Sequence, residues 1–505
     1  MLRHFKYLIL SFIVYVFLSS SSLADSENLI RLNLDLKQKI QHITCCNFEG
    51  AALKDIVATD GYTITIFRQN PNHSFKAYTI KSNDQIMAVN SCRINRAGKE
   101  ILMCLGKNKI FYFSLTNHGE IKGPDYIKVL NDKSIFLKKQ KSMKNYSFVV
   151  DLNNDGLDDI VIPTEEGLLI SWQIEPLVFD PSLIKIEYAY INSSLNIQPW
   201  PKFGEKNKKH NNGISFFPTL SKKRYYWLQD YNKDKLLDII SFAENSDGCR
   251  ITIFLQEKNK KFQAPKYINL PNSKHQNWSA MELRLLDLNN DGLIDIIGTN
   301  IEYPLKGNTS LLPLLISKIY FAEDTFKFNF QPSNIFKSVC MPKLDNVINL
   351  DNDGHHAIIT ITPPLKLESK ESIIKAAENK EITFNLGYYA IKKNKSLIYV
   401  TLSKDFSMAL LELTELYNFR QFIRFEDMTG DGVPDILLLK KTSLLELTKL
   451  KKVTDMLSID KTINIPLFYS VVEVRAIDIN SDSKKELLIL GPDSKRICVI
   501  YLKEL

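Results

Sequence analysis

Carboxylate and amide side chains recur at fixed positions in five short stretches of this chain. Each stretch has Asp at position 1, Asn or Thr at position 3, Asp at position 5 and Asp or Glu at position 9. In a tight turn these side-chain oxygens, with a backbone carbonyl expected at position 7, surround one point. An all-oxygen shell of about six to eight ligands suits Ca²⁺ better than Zn²⁺, which prefers His and Cys. The predicted calcium ligands are Asp151, Asn153, Asp155, Asp159, Asp230, Asn232, Asp234, Asp238, Asp287, Asn289, Asp291, Asp295, Asp427, Thr429, Asp431, Asp435, Asp478, Asn480, Asp482 and Glu486.

Position 6 of these stretches is Gly in three copies, and Lys235 or Ser483 in the other two. Gly fits a sharp loop because it adopts positive φ without strain, so a Lys or Ser there must tolerate the same conformation. An EF-hand also has Gly at position 6, but it requires Glu at position 12 and a following helix. Position 12 is never Glu here, and aliphatic residues follow each loop, which predicts a buried strand.

The alternative interpretation of these stretches is that they are only turns. Asp and Asn form turns readily because their side chains hydrogen-bond to the nearby backbone. For a single copy that interpretation would be preferred. Five copies with the same four oxygen-bearing positions favour calcium.

Three further stretches share the pattern in part. Asn47–Asp55 keeps the final Asp and the following strand, and Cys92–Glu100 has lost nearly all the ligands. Asn349–Ala357 keeps three oxygen ligands but has Ala at position 9, which predicts weak calcium binding or none. His355 and His356 within it are adjacent, so in a strand they would point to opposite faces and could not share a metal.

The eight stretches begin 45 to 79 residues apart, which leaves room for four short strands in each interval. This spacing is typical of radial β repeats, whose sheets bury their faces against each other. The sequence predicts an all-β protein, a β-propeller of eight four-stranded blades, or seven if the unit at residue 92 belongs to a neighbour. An alternating apolar and polar segment at 28–36 is expected to close the last blade, which removes exposed sheet edges.

The N-terminus predicts export. Residues 1–24 have a basic start, an apolar run of 12 residues and Ser22-Leu23-Ala24 before Asp25, which is typical of a cleaved signal peptide. That run is shorter than the roughly 18 residues that a membrane span requires, and no later stretch reaches this length, so we expect no transmembrane anchor. The expected location is the periplasm or the outside of the cell.

The remaining residues 25–505 are expected to form a single domain with loop insertions near 184–226 and 369–380. The second insertion predicts a short amphipathic helix with Ser369 as its N-cap. The formal net charge of +8 is modest for a chain of this length, and an exported protein rarely meets nucleic acid, so no nucleic-acid partner is expected. The seven cysteines show no metal-binding spacing. Cys46 and Cys92 could pair, but buried free thiols are the preferred interpretation.

With these residues in view, the chain resembles the FG-GAP and VCBS repeat proteins, the β-propeller family that includes the integrin α-subunit head. The resemblance rests on the five acidic loops and the strands that follow them. It implies that each loop holds Ca²⁺ between two strands of a blade. The Phe-Gly and Gly-Ala-Pro words of the family name are absent here.

The repeats and the family resemblance favour a non-catalytic exported scaffold, stiffened by calcium, that binds or adheres to a protein or glycan. One alternative is an enzyme similar to polysaccharide lyases, in which calcium acidifies the substrate and a Lys or His accepts the proton. The second alternative is a lectin that uses Trp172, Trp200, Trp227 or Trp278, although Trp in a strand is more often core. The predicted site therefore has no catalytic residue and Ca²⁺ as its only cofactor.

Overall fold

All regular structure in the described part of the chain is β-strand, as the sequence predicts. The computed structural model describes residues 29–50, 53–106, 109–116, 120–127, 147–163, 167–187, 226–245, 248–271, 282–302, 314–339, 347–350, 356–362, 381–409, 423–441, 444–453, 456–467, 471, 473–491 and 494–502. Within these ranges no helix is long and apolar enough to cross a membrane. The predicted signal peptide at 1–24 and the predicted helix at 369–380 lie outside them.

Eight antiparallel four-stranded sheets form the blades of a ring, which confirms the eight-bladed prediction over the seven-bladed one. We number the blades in chain order. The strands of blades 1 to 4 are, for blade 1, β2 (His42–Cys46), β3 (Asp55–Thr59), β4 (Thr63–Gln69) and β5 (Phe75–Lys81); for blade 2, β6 (Ile86–Arg93), β7 (Glu100–Gly106), β8 (Ile110–Leu115) and β9 (Ile121–Ile127); for blade 3, β10 (Val149–Val150), β11 (Asp159–Pro163), β12 (Gly167–Ser171) and β15 (Ile184–Glu187); and for blade 4, β16 (Tyr226–Gln229), β17 (Asp238–Asn245), β18 (Gly248–Phe254) and β19 (Lys266–Leu270).

The other four blades repeat this order, and two of the eight carry a two-stranded ribbon between their third and fourth strands. The remaining strands are, for blade 5, β20 (Glu282–Leu286), β21 (Asp295–Glu302), β22 (Leu314–Tyr320) and β25 (Asn334–Val339); for blade 6, β26 (Val347–Asn349), β27 (His356–Thr362), β28 (Glu381–Ile391) and β29 (Leu397–Ala409); for blade 7, β30 (Ile423–Glu426), β31 (Asp435–Lys441), β32 (Leu444–Val453) and β33 (Met456–Pro466); for blade 8, β34 (Glu473–Ile477), β35 (Glu486–Leu490), β36 (Arg496–Leu502) and β1 (Leu29–Asp35); and for the ribbons, β13 (Gln173–Glu175) with β14 (Val178–Phe179), and β23 (Ala322–Asp324) with β24 (Lys327–Phe328).

The two ends of the described chain meet in blade 8. Strand β1 pairs antiparallel with β36, from Leu29 opposite Leu502 to Asp35 opposite Arg496. The segment predicted at 28–36 therefore supplies the fourth strand of the last blade. The ring closes through strand pairing, so neither strand is left as an open edge.

The second strands of the blades are largely buried in their described residues. All five residues of β3 and of β35 are buried, because each of these strands has neighbouring blades on both of its faces. Cys46 and Phe48 of blade 1 pack with Leu102 and Phe111 of blade 2 in one of the apolar clusters between blades. Continuous Ile, Val and Leu runs are what a strand buried on both faces requires.

Strand direction sorts the connections onto two ends of the ring. Because the strands alternate in direction, the loops from first to second strand and the turns from third to fourth strand share one end, which we call the acidic end. The connections from second to third strand and from one blade to the next share the other, which we call the insertion end.

Both predicted insertions belong to the insertion end. Residues 188–225 connect β15 of blade 3 to β16 of blade 4, and residues 363–380 connect β27 to β28 within blade 6. Both ranges lie outside the described residues. The first insertion was predicted to begin at residue 184, but Ile184–Glu187 is the fourth strand of blade 3.

Candidate metal site

The five acidic loops occupy equivalent places in five blades. Each one joins the first strand of its blade to the second at the acidic end, in blades 3, 4, 5, 7 and 8. The residue at position 9 is always the first residue of the second strand: Asp159, Asp238, Asp295, Asp435 and Glu486. The corresponding loop of blade 6 includes residues 351–355, which lie outside the described part of the chain.

Each loop turns by placing positions 4 and 6 in the left-handed region of backbone space. In the first loop, Asn154 has φ 57° and Gly156 has φ 89°. Lys235 and Ser483, which replace Gly at position 6, adopt φ 72° and 71°. The two departures from Gly therefore keep the loop conformation, at the conformational cost that a side chain carries there.

Hydrogen bonds inside each loop fix its acidic side chains. In the blade 3 loop, the carboxylate of Asp151 accepts the backbone N–H of Gly156 at 3.0 Å, and that of Asp155 accepts the N–H of Leu157 at 2.9 Å. Asp478 accepts the N–H of Ser483 at 3.3 Å in the equivalent way. The interactions of an Asx-type turn are therefore present in these loops, as the turn interpretation expected.

The carboxylate at position 9 ties the loop to the rest of its blade. One oxygen of Asp159 accepts the N–H of Leu152 at 3.0 Å, and the other accepts the N–H of Gln173, beyond the third strand, at 2.9 Å. The carboxylates of Asp238, Asp295 and Asp435 each accept the same two backbone hydrogen bonds. The position-9 carboxylate is thus a buried acceptor that joins the loop to its blade, and we call it the brace. Its role as a calcium ligand stays a prediction.

Burial disfavours the charged form of these braces. It raises the pKa of Asp159 and of Asp295 to about 7, although the backbone N–H donors oppose the shift. The pKa of Glu486 is also raised to about 7, again by burial. A nearby cation would stabilise the ionised carboxylates, which links the braces to the charge of the whole loop.

The loops are also bonded to one another around the ring. The N–H at position 8 donates to the carbonyl at position 2 of the preceding blade's loop at four junctions between blades. These bonds join Asp158 to Arg93, Leu237 to Leu152, Lys485 to Met428, and Lys54 to Ile479, with N···O distances from 2.7 to 3.1 Å. At three of these junctions the accepting residue, Leu152, Met428 or Ile479, also donates its own N–H to the position-9 carboxylate of its loop, so a single residue connects that carboxylate to the next blade.

Three predicted ligand oxygens are buried without a hydrogen-bond partner. They are Oδ1 of Asn289, Oγ1 of Thr429 and Oδ1 of Asp478, in the loops of blades 5, 7 and 8. A buried oxygen without a donor is costly unless another group satisfies it. These oxygens fit a cation in those three loops.

Carboxylates alone do not complete such a site. Among the described residues, no three His, Cys, Asp or Glu side chains come together as a metal-binding group. Any ion in these loops would depend on the Asn or Thr at position 3 and on backbone carbonyls as well as on two or three carboxylates. That donor set matches the oxygen-rich, mixed shell of Ca²⁺.

Basic side chains, most of them from a neighbouring blade, reach several loops, and the sequence analysis did not anticipate them. Arg93 Nη2 lies 3.2 Å from Asp151, Lys449 Nζ lies 3.6 Å from Asp431, and Lys233 contacts Asp287. Lys260 and Lys395, at turns between third and fourth strands, come within 3.7 and 3.9 Å of Asp155 and Asp291. Their signal in the sequence was weak, because a single Lys or Arg is usually solvated.

The described tryptophans and cysteines belong to the core. Trp172 is 2% exposed and stacks on Phe262, and Trp227 packs against an apolar cluster, while Trp200 and Trp278 lie outside the described residues. Cys46 and Cys92 are both buried free thiols, and no cysteine in the described ranges is in a disulfide. This confirms the preferred interpretation of that pair.

The comparisons with known proteins agree with the repeat. Residues 230–298, which span the loops of blades 4 and 5, match the model of the FG-GAP-like repeat. The chain is a β-propeller that carries an FG-GAP-like repeat. No curated protein matches it.

Among solved structures, this FG-GAP-repeat propeller is similar to a lectin of Agrocybe aegerita that recognises non-reducing terminal N-acetylglucosamine. The two share 12% identity over 92% of this chain and 100% of the lectin, with a TM-score of 0.41. Overlap of this degree carries no inference about a shared ligand.

Proposed function

We propose that this protein is an exported, non-catalytic scaffold that binds a protein or a glycan, with Ca²⁺ stiffening the acidic end of its ring. The observation that carries the proposal is the structural difference between the two ends of the ring. The acidic end is a connected set of braced loops, whereas the longest connections between strands all belong to the insertion end. A rigid support under variable loops is the arrangement on which binding sites are commonly built.

Calcium is assigned first to the loops of blades 5, 7 and 8. Asn289, Thr429 and Asp478 each hold a buried oxygen without a donor, and the carboxylates at positions 1 and 5 of the same loops supply negative charge. Bound calcium would neutralise the loop and so stabilise the folded ring by mass action. Export supports this assignment, because extracellular calcium is sufficient to fill sites of modest affinity.

The proposal is consistent with the surroundings of His42, a described histidine that interacts with both a guanidinium and a carboxylate. Burial and, to a smaller extent, the charge of Arg475 lower the pKa of His42 to about 4, against the opposing effect of Glu473. His42 is only 7% exposed. A substrate outside the protein could not reach this imidazole, so it is poorly placed to act as a general base.

The test separates binding from catalysis and uses the insertion end. The mature chain is applied to an array of defined oligosaccharides and, separately, of purified surface proteins, with calcium and with chelator. A variant whose residues 188–225 are replaced by a short Gly/Ser linker should lose binding and keep its melting temperature. A control with Lys258→Ala and Lys261→Ala, at the acidic end, should keep both.

Two results would count against the proposal. Unsaturated products released from an acidic polysaccharide would identify a lyase. Full binding by the linker variant would place the ligand elsewhere on the ring.

A further inference from the structure

We propose that Arg93 is a built-in cation for the loop 151–159, so that this loop folds without calcium even though its sequence matches the metal pattern at every position. The inference rests in part on the proposed function, since it divides the five loops into metal-dependent and metal-independent ones. It concerns residues that the repeat pattern alone would treat as equivalent.

The guanidinium of Arg93 bridges two carboxylates of the loop. It donates from Nε and Nη2 to Asp158 at 3.1 and 3.0 Å, and from Nη2 to Asp151 at 3.2 Å. The backbone N–H of Arg93 donates to the other oxygen of Asp158 at 2.6 Å. A guanidinium held by paired hydrogen bonds is fixed in place far more firmly than a lysine with one contact.

The oxygens of the loop have donors already. One oxygen of Asp151 accepts the N–H of Asp155 at 3.1 Å, and the other accepts Gly156 and Arg93. Asn153 Oδ1 accepts the N–H of Asp155 at 3.2 Å. None of the buried, partnerless oxygens among the described residues belongs to this loop, in contrast to the loops of blades 5, 7 and 8.

Asp158 is what sets this loop apart in sequence. Position 8 is Leu237, Ile294, Pro434 and Lys485 in the other four loops. An added carboxylate beside Asp151 would be unfavourable without a cation between them, because two like charges that are partly buried repel. Arg93 comes from the degenerate unit at 92–100, which has lost nearly all of its own ligands and supplies a positive charge to the neighbouring loop.

The same degenerate unit makes a second contact that provides a matched control. Arg96 Nε donates to the backbone carbonyl of Asp155 at 3.0 Å, and no ion pair joins Arg96 to a carboxylate in the described part of the chain. Arg93 and Arg96 therefore touch the same loop from the same blade, but only Arg93 neutralises its acidic side chains.

The first arm of the test needs no metal. In chelator, Arg93→Met should lower the melting temperature, because it leaves Asp151 and Asp158 without their cation. Adding Asp151→Asn to Arg93→Met should recover part of the loss, since it removes one of the two charges. If Asp151→Asn gives no recovery, Arg93 acts through packing alone and the inference is wrong.

The second arm counts bound calcium by equilibrium dialysis and metal analysis at about 1 mM Ca²⁺, a concentration that fills extracellular sites. Arg93→Met should bind one more calcium per chain than the wild type, and Arg93→Met with Asp151→Asn should lose that gain. Arg96→Met should bind the wild-type number. Loss of one calcium on Asp151→Asn in the wild type would overturn the inference, because the loop would then already hold an ion.

The two proposals fail in different ways. A wild-type chain that binds no calcium would refute the metal part of the proposed function, while the melting temperatures in chelator would still decide the role of Arg93. A chain that binds calcium at loop 478–486 and also at loop 151–159 would keep the function and refute the role of Arg93.

Discussion

The loops 151–159 and 478–486 share the acidic pattern but meet different neighbours. Both begin with Asp, have Asn at position 3 and Asp at position 5, and end in a carboxylate that accepts the N–H of position 2. In blade 3 a guanidinium bridges Asp151 and Asp158. In blade 8 Lys54 donates to the backbone carbonyl of Asp478 at 2.9 Å, and Oδ1 of Asp478 is buried without a partner.

The comparison shows that the group that balances the negative charge of an acidic loop depends on the blade before or after it. The loop's own residues fix its turn and its brace, whereas the charge that balances it comes from a strand or loop more than 50 residues away in the sequence. The proposals above follow from this contrast: an ion would stabilise the repeat in one blade and a side chain would do so in another.

The largest expected effect concerns the brace, which the two loops share. Asp159→Ala leaves the N–H groups of Leu152 and Gln173 buried without an acceptor, so we expect a loss of about 4 kcal/mol in the free energy of unfolding. Glu486→Ala should cost about 2 kcal/mol, because it orphans the N–H of Ile479. Denaturant unfolding measures both. Asp35→Ala, on the exposed side of β1, is the control and should change stability by less than about 0.5 kcal/mol. A large loss in only one of the two brace variants would mean that the loops differ in the brace as well as in the cation.

A smaller effect on stability is expected from the brace of a unit that lacks the metal pattern. Asp55 holds position 9 in the degenerate unit 47–55, and burial raises its pKa from 3.8 to about 6, against the N–H of Gln69 and the charge of Arg68. Because the folded pKa is above the unfolded one, the contribution of Asp55 to stability is fully present below about pH 4 and is lost as the pH rises through 6. Asp55→Asn does not titrate, so its stability relative to the wild type should rise by about 2 to 3 kcal/mol between pH 4 and pH 7.

This pH dependence is measured by unfolding in chelator at several pH values. Asp60→Asn would not serve as the control, because Asp60 accepts the N–H groups of Tyr62 and Thr63 in its turn. Asp35→Asn is the better one, since that carboxylate is exposed on β1. A difference between Asp55→Asn and the wild type that does not change with pH would show that the buried carboxyl is not the titrating group.

The sequence was sufficient for the ring and insufficient for the charges around the loops. Acidic turns before runs such as Ile160-Val161-Ile162 predict a loop followed by a buried strand from local chemistry alone, and the eight blades follow from counting these units. The pairing of Arg93 with Asp158 depends on which blades are neighbours and on where a long side chain reaches, 65 residues away. The sequence identifies position 9 as a repeated carboxylate, but it does not show the two N–H groups that this carboxylate accepts, because one of them follows the third strand of the blade.

The smallest expected effect is on calcium affinity at a loop that shares one feature with blade 8 and one with blade 3. The loop 287–295 has a buried partnerless oxygen on Asn289, as blade 8 has on Asp478, and a cation on Asp287, as blade 3 has on Asp151. That cation is Lys233, whose half-exposed side chain makes a single contact, so calcium can displace it at a modest cost in affinity. Lys233→Met should therefore tighten calcium binding at this loop by a few-fold without adding a site, measured by calorimetric titration. Lys235→Met, two residues along the same loop and without a described ion pair, is the control. An added calcium in Lys233→Met would instead show that a lysine excludes the ion as completely as Arg93 is proposed to do, and the distinction between the two kinds of cation would not hold.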